Sequence, residues 1–505
     1  MVDERTAVVA TATAPEYPVD PPFHPGKAWP DRPFDPVAAT PNHAYDAVRA
    51  AFELAGLDEG ARGTAAWNPL GELVAPGETV LLKPNLVKET HPRDPDGWRY
   101  TLTSGSVVRA VADYVYKALA GRGRVVLADS PQTDSSFSAM VRLLGLDAIA
   151  RFYRDMGVRF DLVDLRQEEW TNEGGVIVGR RPLPGDPAGA VAFDLGELSE
   201  LCRHPGTGRY YGADYDARVV NHHHAGGRHE YLLSGSAIGA DVVFSLPKLK
   251  THKKAGITVS LKNLVGVNTD KNYLPHHTEG SPAAGGDEHP APGGAHRLER
   301  VVARGFREAA RRSPRGSAWA HRHARRIGLR VFGDNDRAIR SGNWHGNDTI
   351  WRMCLDLNTL VLYGEAGGGL RPAGPGGRKR HLVLVDGIVA GEGRGPVDPD
   401  PRPAGIVVFA RNPATADAAC ARLMGFDVER IPIVRNAFAP RAYPIADWRW
   451  TDVMVRSDRE AWNGPLDAIA EASTLRFEPH FGWKHHIELT PPAGAAVGGA
   501  LDGHI

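Results

Sequence analysis

The stretch at residues 241–266 limits the possible folds of this chain more than any other part of the sequence. It opens with an apolar run that stops at Pro247, which predicts a buried strand over residues 241–246. The next seven residues, predicted to form a turn, hold five lysine and histidine side chains. Because open α/β folds bind ligands beyond the carboxyl ends of their strands, this order of strand, proline and cations predicts an anion site. A solvated basic loop is the alternative interpretation.

Lys262 and Asn263 favour the binding site over the solvated loop. Both lie in a largely apolar run at residues 257–267, where a lysine is expected to be paired or functional. Its ammonium group needs a carboxylate, carbonyl groups or a bound anion, because burying an unpaired charge is costly. Asp386 and Glu392 are the predicted partners if Lys262 forms a structural ion pair. Without such a partner, burial lowers its pKa and makes it a usable base.

Several short motifs carry a resemblance to a known family. The central stretch contains PKLKTH at residues 247–252 and LKNLVG at residues 261–266. With these motifs the chain resembles the bacterial and archaeal family called domain of unknown function 362, a name that implies no defined activity. The chain is also similar, more distantly and only at the level of sheet architecture, to the nickel-pincer lactate racemases. The family's other motifs here are LKPNL, VDGIVAGEGRGP, PATAD and LMGFD, at residues 82–86, 385–396, 413–417 and 423–427.

Two earlier strands end in polar residues. The first runs into Lys83 and Asn85, and the proline between them ends the strand or makes it bulge. The next strand, at residues 124–129, ends at Asp129. Strands that alternate with helices predict a parallel sheet with right-handed crossovers. We therefore expect these three polar side chains on one carboxyl-end rim.

The whole pattern predicts an α/β fold with a mostly parallel sheet flanked by helices, a β-rich insertion and a peripheral arginine-rich helical insertion. The second insertion opens with a glycine- and proline-rich run and lacks a continuous apolar face, so we expect it to be mobile. The predicted parts, in chain order, are a proline-rich arm that lies along the body or is disordered (1–40), a first α/β part (41–158), the β-rich insertion (159–216), the central site segment (217–274), the mobile insertion (275–330), a second α/β part (331–478) and a C-terminal tail (479–505).

Three consecutive histidines at residues 222–224 are the candidates for a metal site. On a strand, alternate side chains point to opposite faces, so His222 and His224 could share a metal, with His229 or His252 as a third ligand. Substrate-binding or structural histidines are the alternative. The cofactor is therefore unknown at this stage, and a divalent metal is one option.

Loops and one helix start supply further candidates for substrate binding. Residues 391–396 place charged side chains among glycines that permit close backbone approach, without forming a nucleotide-binding fingerprint. The helix after residue 347 begins with crowded polar residues, which either reach one ligand near its positive end or simply face water. The full set of predicted substrate-binding residues is Asn85, Asp129, Arg228, Lys250, Asn263, Asn343, Asn347, Asp348, Arg352, Asp386, Glu392 and Arg394.

Composition excludes several classes of function. The 60 basic and 60 acidic residues cancel, which removes the global charge argument for nucleic acid or anionic membranes as partners. No apolar run approaches the ~20 residues of a membrane span, and the first residues lack the basic region of a signal peptide. The 3 cysteines cannot hold a four-thiolate cluster, although some members of the resembled family carry ferredoxin-like segments. We therefore expect a cytoplasmic protein without an iron–sulfur cluster, and homo-oligomerisation is left open.

The candidate residues predict an enzyme that acts on a small, oxygen-rich anionic metabolite, such as a carboxylate, a phosphate or a sugar derivative. Lysine and histidine transfer protons when burial brings their pKa near neutrality. An isomerase, epimerase or lyase is favoured. A phosphate-dependent ligase or transferase and a noncatalytic binding protein for an anionic metabolite are the alternatives. The predicted catalytic residues are Lys83, Lys248, His252 and Lys262.

Overall fold

The computed structural model describes residues 2–173, 176–212, 216–292, 338–374 and 376–489. The strands are, in chain order, β1 (Thr6–Thr11), β2 (Thr79–Pro84), β3 (Arg124–Asp129), β4 (Phe160–Asp164), β5 (Glu168–Glu173), β6 (Val176–Pro182), β7 (Ala190–Asp194), β8 (Tyr210–Tyr211), β9 (Glu230–Ser234), β10 (Val242–Leu246), β11 (Lys248–His252), β12 (Gly256–Thr258), β13 (His277–Thr278), β14 (Arg380–Glu392), β15 (Asp400–Arg402), β16 (Ile406–Ala410), β17 (Met454–Ser457) and β18 (Gly464–Pro465). The α-helices are α1 (His43–Leu54), α2 (Trp98–Thr101), α3 (Gly105–Leu119), α4 (Phe137–Leu143), α5 (Leu146–Asp155), α6 (Ala217–His223), α7 (Gly235–Gly239), α8 (Ser260–Asn263), α9 (Ile350–Tyr363), α10 (Pro413–Leu423) and α11 (Pro432–Ala437). Within these described ranges, no helix has the length and apolar character needed to cross a lipid bilayer.

A large mixed sheet forms the centre of the molecule. In the described residues it has 12 strands, with a main path in the order β18-β17-β1-β16-β14-β10-β2-β3-β4. The neighbours from β14 to β4 run parallel to one another, whereas β16 is antiparallel to both β14 and β1. The predicted α/β class with a mostly parallel sheet is confirmed.

Helices cover both faces of this sheet, which explains why its parallel strands are apolar throughout rather than in alternation. On one face, Val80, Leu82 and Phe244 belong to a core that includes residues of α1, α3 and α5. On the other face, Leu81 and Val243 belong to a core built with residues of helices α7 to α11. Successive residues of one strand therefore serve two different cores.

The order of the parallel strands reverses next to β2. The chain builds β2, β3 and β4 in one direction and then places β10 and β14 on the other side of β2. Such a reversal leaves a crevice outside the carboxyl ends of the two strands where it occurs. The last residues of these strands, Pro84 and Leu246, are paired across the ladder. The fold thus brings the LKPNL and PKLKTH motifs to the position where open α/β sheets bind ligands.

Residues 6–11 of the predicted proline-rich arm form β1 inside the main sheet, which the prediction missed. The rest of the arm lies along the body of the protein, which is one of the two predicted alternatives. The carboxylate of Asp31 is buried and accepts hydrogen bonds from Arg49 Nη2 at 2.7 Å and Tyr114 Oη at 2.8 Å. Phe34 packs edge-on against Phe152, with 5.3 Å between ring centroids. Both polar and apolar contacts therefore fix the arm.

The β-rich insertion begins later than predicted. Residues 160–164 form β4, which pairs in parallel with β3 and belongs to the main sheet rather than to the insertion expected from residue 159. The insertion itself contains the antiparallel β5–β6 hairpin and β7, which pairs with β9. A short strand pattern does not reveal which sheet a strand joins, because partner choice depends on the topology.

The histidine cluster lies on a helix and not on a strand. The side chain of Asp216 accepts a hydrogen bond from Arg218 N at 3.0 Å and caps the start of α6. His222 and His223 occupy the last turn of this helix, and His224 follows it. The argument that alternate residues share a face therefore does not apply to these histidines.

The glycine- and proline-rich run after residue 275 is held against the body at Asp287. Asp287 is buried, and its carboxylate accepts hydrogen bonds from the amides of Thr278, Asp348 and Thr349 at 2.6 to 2.8 Å. The described part of the predicted mobile insertion is thus anchored at the start of α9 rather than peripheral. Its arginine-rich continuation at residues 297–330 lies outside the described residues.

Candidate functional site

Lys83 and Asp129 form a buried ion pair at the carboxyl ends of β2 and β3. Lys83 Nζ lies 2.9 Å from Asp129 Oδ1, and Asp129 Oδ2 accepts a hydrogen bond from Leu86 N at 2.7 Å. Burial raises the pKa of Asp129 and lowers the pKa of Lys83, while their mutual attraction opposes both shifts. Backbone contacts as well as charge therefore hold the pair in place.

Asn263 joins this pair to the central stretch. Its Nδ2 donates to the carbonyl oxygen of Lys83 at 2.9 Å. Its Oδ1 accepts from Lys83 Nζ at 3.3 Å and from Asn85 Nδ2 at 3.2 Å. The structure thus brings together four predicted site residues, Lys83, Asn85, Asp129 and Asn263.

Gly266 allows the backbone to pass directly over the ion pair. A Cβ atom at this position would lie 2.0 Å from Asp129 Oδ1 and 2.6 Å from Lys83 Nζ, both too close for any side chain. The carbonyl oxygen of Gly266 also accepts a hydrogen bond from Ser130 N at 2.8 Å. Close backbone approach explains the glycine that ends the LKNLVG motif.

The short helix α8, which carries Lys262, is held from two sides. Asp417 Oδ1 accepts hydrogen bonds from the amides of Ser260 at 2.7 Å and Leu261 at 3.3 Å. Asn358 Nδ2 donates to the carbonyl oxygen of Leu261 at 2.8 Å. Asp417 is buried, and burial raises the pKa of its carboxyl group well above the usual value. The PATAD motif therefore fixes the position of the LKN motif.

The ammonium group of Lys262 has no partner among the residues that the structure describes. It makes no hydrogen bond and no ion pair with any of them, although its side chain is only partly exposed and burial lowers its pKa. The predicted partners are engaged elsewhere, since Asp386 pairs with Lys248 and Glu392 lies 3.6 Å from Arg402. The predicted structural ion pair of Lys262 is therefore not formed within the described ranges.

Lysine and histidine side chains surround Lys262. Burial is the main cause of the lowered pKa of each neighbour, and the charge of Lys262 lowers it further. The carboxylate of Asp129 raises the pKa of Lys250 and Lys271, but it is already paired with Lys83. The group, called the lysine cluster below, consists of Lys262 with Lys83, Lys250, His252, Lys271 and His276.

His252 is a neutral imidazole within the lysine cluster. Its Nδ1 accepts hydrogen bonds from the backbone amides of Lys254 at 3.0 Å and Ala255 at 3.1 Å, which assigns the ring proton to Nε2. Burial, reinforced by the charge of Lys262, lowers the pKa of His252 well below its usual value. The ring therefore offers an N–H donor at neutral pH.

The residues from Lys248 to His252 form strand β11 and not the predicted turn. This strand pairs in parallel with β14 and antiparallel with β12. Lys248 and Lys250 are fully buried, and Lys250 Nζ donates to the carbonyl oxygen of Thr101 at 2.6 Å. The solvated-loop interpretation is therefore wrong. Charged residues on a strand buried on both sides hide the apolar pattern that would have identified it.

Lys248 and Asp386 form a closed network with Tyr17 of the arm. Lys248 Nζ lies 3.1 Å from Asp386 Oδ2 and donates to Tyr17 Oη at 2.7 Å. Tyr17 Oη donates in turn to Asp386 Oδ1 at 2.5 Å, and Ser104 N donates to Asp386 Oδ2 at 2.9 Å. Each charged group is satisfied inside the protein, so this network stabilises the fold rather than offering a ligand site.

The glycine-rich loop after β14 places its charged side chains in contacts outside the lysine cluster. Glu392 Oε2 accepts a hydrogen bond from Glu478 N of the C-terminal part at 3.0 Å. Arg394 Nε lies 3.4 Å from Asp398 Oδ2, which also pairs with Arg93. Both predicted substrate-binding residues therefore have structural partners.

The polar residues at the start of α9 contact one another and the backbone. Asn347 Oδ1 accepts hydrogen bonds from the amides of Thr349, which precedes α9, and Ile350, its first residue. Asp348 Oδ2 pairs with Arg352 Nη2 at 2.8 Å, and Asn343 Nδ2 donates to the carbonyl oxygen of Ala338. Of the two predicted alternatives, these contacts favour a structural helix start.

The histidine cluster and Arg228 form a separate group. The carbonyl oxygen of His222 accepts a hydrogen bond from Arg228 Nη2 at 3.1 Å. His224 is buried, with Nε2 at 2.8 Å from the carbonyl oxygen of Tyr273 and Nδ1 at 3.4 Å from His229 Nδ1. In the part of the chain that the structure describes, no group of three or more His, Cys, Asp or Glu side chains could hold a metal ion.

A cavity of about 340 Å³ lies beyond the carboxyl ends of β3 and β4 and shares Lys271 with the lysine cluster. Lys271 Nζ donates to the carbonyl oxygens of Val265 at 3.1 Å and Asn268 at 3.2 Å. Sequence reasoning did not select Lys271, and its position in the polar run just after the LKNLVG motif was the available signal. The cavity is lined by Thr133, Arg166, Gln167, Glu168, Arg180, Pro182, Thr269, Asp270, Lys271 and Asn272.

Comparison with known proteins supports the resemblance found in the motifs. The chain is 29% identical over 210 residues to a thylakoid-associated protein of Synechocystis sp., an alignment that covers 42% of this chain and 45% of that relative. A crystal structure of a protein from Thermotoga maritima aligns with 67% of this chain and 53% of its own, at 12% identity, but its TM-score of 0.24 carries no argument about the fold. The family model described as domain of unknown function (DUF362) matches residues 80–175 and 161–422. The chain therefore belongs to the DUF362 family.

Proposed function

We propose that this protein is an enzyme that binds a small, oxygen-rich anionic metabolite at Lys262 and acts on it by acid–base chemistry, as an isomerase, epimerase or lyase. The observation that carries the proposal is the Lys262 ammonium group, which has no partner in the described residues while the side chains of other lysines lie around it. A carboxylate or phosphate would supply the missing partner and relieve the repulsion. The reversal of strand order beside the lysine cluster supports a ligand at this place.

Lys262 and His252 have the properties that proton transfer requires. Burial lowers the pKa of Lys262, which brings its amine closer to exchanging a proton at neutral pH. We assign this exchange to Lys262, and we assign to His252 Nε2–H the polarisation of a substrate oxygen. The pair of Lys83 with Asp129 and the amide of Asn263 position these groups. Lys248 has no role in the proposal because Tyr17 and Asp386 satisfy it.

The compartment belongs to the same proposal. Cys202, Cys354 and Cys420 are all free thiols, which is compatible with a reducing cytoplasm. A cytoplasmic location would give the site access to soluble carboxylates and phosphates.

Hydrogen exchange with solvent tests the proposal across several classes of candidate substrate. The full-length protein is incubated in D₂O with a panel of 2-hydroxy acids, 2-keto acids and sugar phosphates, and deuterium at carbon is measured by mass spectrometry. Lys262→Met is expected to slow this exchange by about 100-fold or more, since proton transfer contributes at least that factor. Lys27→Met, which removes an exposed lysine paired with Asp46, is the matched control and should exchange normally.

The outcomes separate an enzyme from a binding protein. If Lys262→Met folds and retains full exchange, the proposed site is wrong and the chemistry lies elsewhere. If no compound exchanges but calorimetry finds an anion whose binding needs Lys262, the protein is a noncatalytic binding protein. Loss of exchange with a melting temperature near that of the wild type supports the enzyme.

A further inference from the structure

The cavity beside the lysine cluster has polar walls of both signs. Glu168 and Asp270 contribute carboxylates, Arg166, Arg180 and Lys271 contribute cations, and Gln167 and Asn272 contribute amides that can both donate and accept. The side chains of Gln167 and Glu168 form no hydrogen bond and no ion pair with any residue in the described ranges, so their polar atoms are available to a ligand.

This wall chemistry narrows what the cavity could hold. Arg166 is paired with Asp164, and Lys271 donates to backbone carbonyl groups, which leaves Glu168 and Gln167 among the wall groups that a ligand can contact. Hydroxyl groups suit these walls, because each can donate to a carboxylate and accept from an amide. The volume of about 340 Å³ lies at the lower end of the range of about 300–1,000 Å³ for small-molecule sites. A body of the size of one sugar is therefore favoured over a dinucleotide.

Lys271 connects the cavity with the proposed anion site. Its ammonium group braces the loop just after α8 through the carbonyl oxygens of Val265 and Asn268, and its side chain also forms part of the cavity wall. Its charge interacts with those of Asp129 and Lys262. The cavity and the proposed anion site therefore share one residue.

We infer that the substrate is an anion with several hydroxyl groups, of the sugar acid or sugar phosphate class, whose hydroxylated body occupies this cavity while its charged end reaches Lys262. The inference rests on the proposed function, because it takes Lys262 as the anion site. Beyond that function, it identifies the hydroxylated body as the part of the substrate that determines specificity.

Paired probes test the inference on the full-length protein by titration calorimetry. One pair is D-gluconate with lactate, which share a 2-hydroxy carboxylate, and the other is glucose 6-phosphate with inorganic phosphate. In at least one pair the hydroxylated member is expected to bind about 10-fold more tightly, the equivalent of one or two net hydrogen bonds. Gln167→Leu and Glu168→Leu should remove this difference without changing the affinity for lactate or phosphate. Glu72→Leu, at an exposed acid outside the cavity, is the control and should behave as the wild type.

The results separate failure of the inference from failure of the proposed function. If binding needs Lys262 but the hydroxylated probes bind no more tightly, or if the cavity variants weaken both members of a pair equally, the inference is wrong and the anion site stands. If no probe binds, or if Lys262→Met binds every probe as the wild type does, the anion site itself is refuted and the inference falls with it.

Discussion

Two lysines of the central stretch show that the partner of a buried charge decides its role. Lys248 is closed off by Asp386 and Tyr17, whereas Lys262, fourteen positions later, meets no carboxylate in the described residues. The sequence predicted that Lys262 would be buried in an apolar run and placed Lys248 in a turn beyond a strand end. It could not rank them, because the partners of Lys248 lie 138 and 231 residues away along the chain. Pairing at such separations follows from the topology and not from local pattern.

The close approach at Gly266 predicts a sharp effect of a single methyl group. Gly266→Ala places Cβ 2.0 Å from Asp129 Oδ1, so the backbone or the ion pair has to move. We expect a loss of about 1–3 kcal/mol in the free energy of unfolding, measured by urea denaturation. Gly367→Ala is the control, because a Cβ there meets nothing within 4 Å. Equal stability of the two variants would show that the backbone over the ion pair can relax freely.

Lys271 predicts a specific dependence of stability on pH. Burial lowers its pKa to about 7 in the folded protein, from 10.5 for an unperturbed lysine. Between these two values the unfolded chain binds more protons at this residue than the folded protein, so the stability that Lys271 confers increases with pH. We therefore expect the wild type to gain stability relative to Lys271→Met as the pH rises from about 7 to 9.5. Urea denaturation of both proteins across this range measures the difference. A difference that stays constant with pH would contradict the lowered pKa.

At the scale of elements, α8 is too short to hold its own position. A helix of 4 residues forms few internal hydrogen bonds, so Asp417 and Asn358 have to satisfy its backbone. The PATAD motif at residues 413–417 identified the segment that contains Asp417. Nothing in its pattern showed that this carboxyl group would cap another helix 157 residues earlier.

Variants of Asp417 test whether this residue fixes the position of α8 in addition to stabilising the fold. Asp417→Ala leaves the amides of Ser260 and Leu261 without their acceptor, and we expect a loss of about 1–3 kcal/mol in unfolding free energy. The affinity of Lys262 for gluconate or phosphate should fall with it, because α8 would no longer be fixed. Asp417→Asn keeps an acceptor oxygen and should preserve more of both properties. Calorimetric titration and urea denaturation of the two variants test this, and equal behaviour of the two would exclude a capping role.

Element boundaries show where sequence reasoning worked and where it failed. Helix α1 begins after Asn42, whose Oδ1 accepts from Tyr45 N at 3.0 Å, and α3 begins after Ser104, and both residue types are preferred at helix starts. The predicted turn at residues 248–254 failed, because a strand buried on both sides can carry lysines once distant carbonyls and carboxylates satisfy them. Local signals identified ends of elements better than they identified the partners of charged strands.

At the scale of the whole molecule, the N-terminal arm supplies buried polar contacts to the sheet and to α1. Tyr17 reaches the network of Lys248 and Asp386, and Asp31 ties the same arm to Arg49. The sequence left two alternatives open for this segment, since proline-rich runs lack a periodic pattern that would favour one of them. Individual buried polar contacts, which no pattern shows, fix the arm against the body.

Loss of one hydroxyl group in the arm should therefore lower the stability of the whole fold. Tyr17→Phe removes the acceptor for Lys248 Nζ and the donor to Asp386 Oδ1 in a buried network, so we expect a loss of about 1–3 kcal/mol. Thermal and urea unfolding measure it. Tyr100→Phe is the control, because its partner Asp94 is open to water and can exchange the lost bond for a solvent contact. A Tyr17→Phe variant no less stable than the control would mean that the arm contributes packing alone.

The reversal of strand order at β2 also determines the stage of translation at which the site residues can come together. Lys83 and Asp129 leave the ribosome with the first three parallel strands, but Asn263 follows Lys83 by 180 residues and Asp417 comes later still. Contacts between such distant residues form late and slow the folding of a chain. A nascent chain arrested before residue 417 is therefore expected to contain a folded first half that has no affinity for anions. Release of the residues from 417 onward would then complete the binding site.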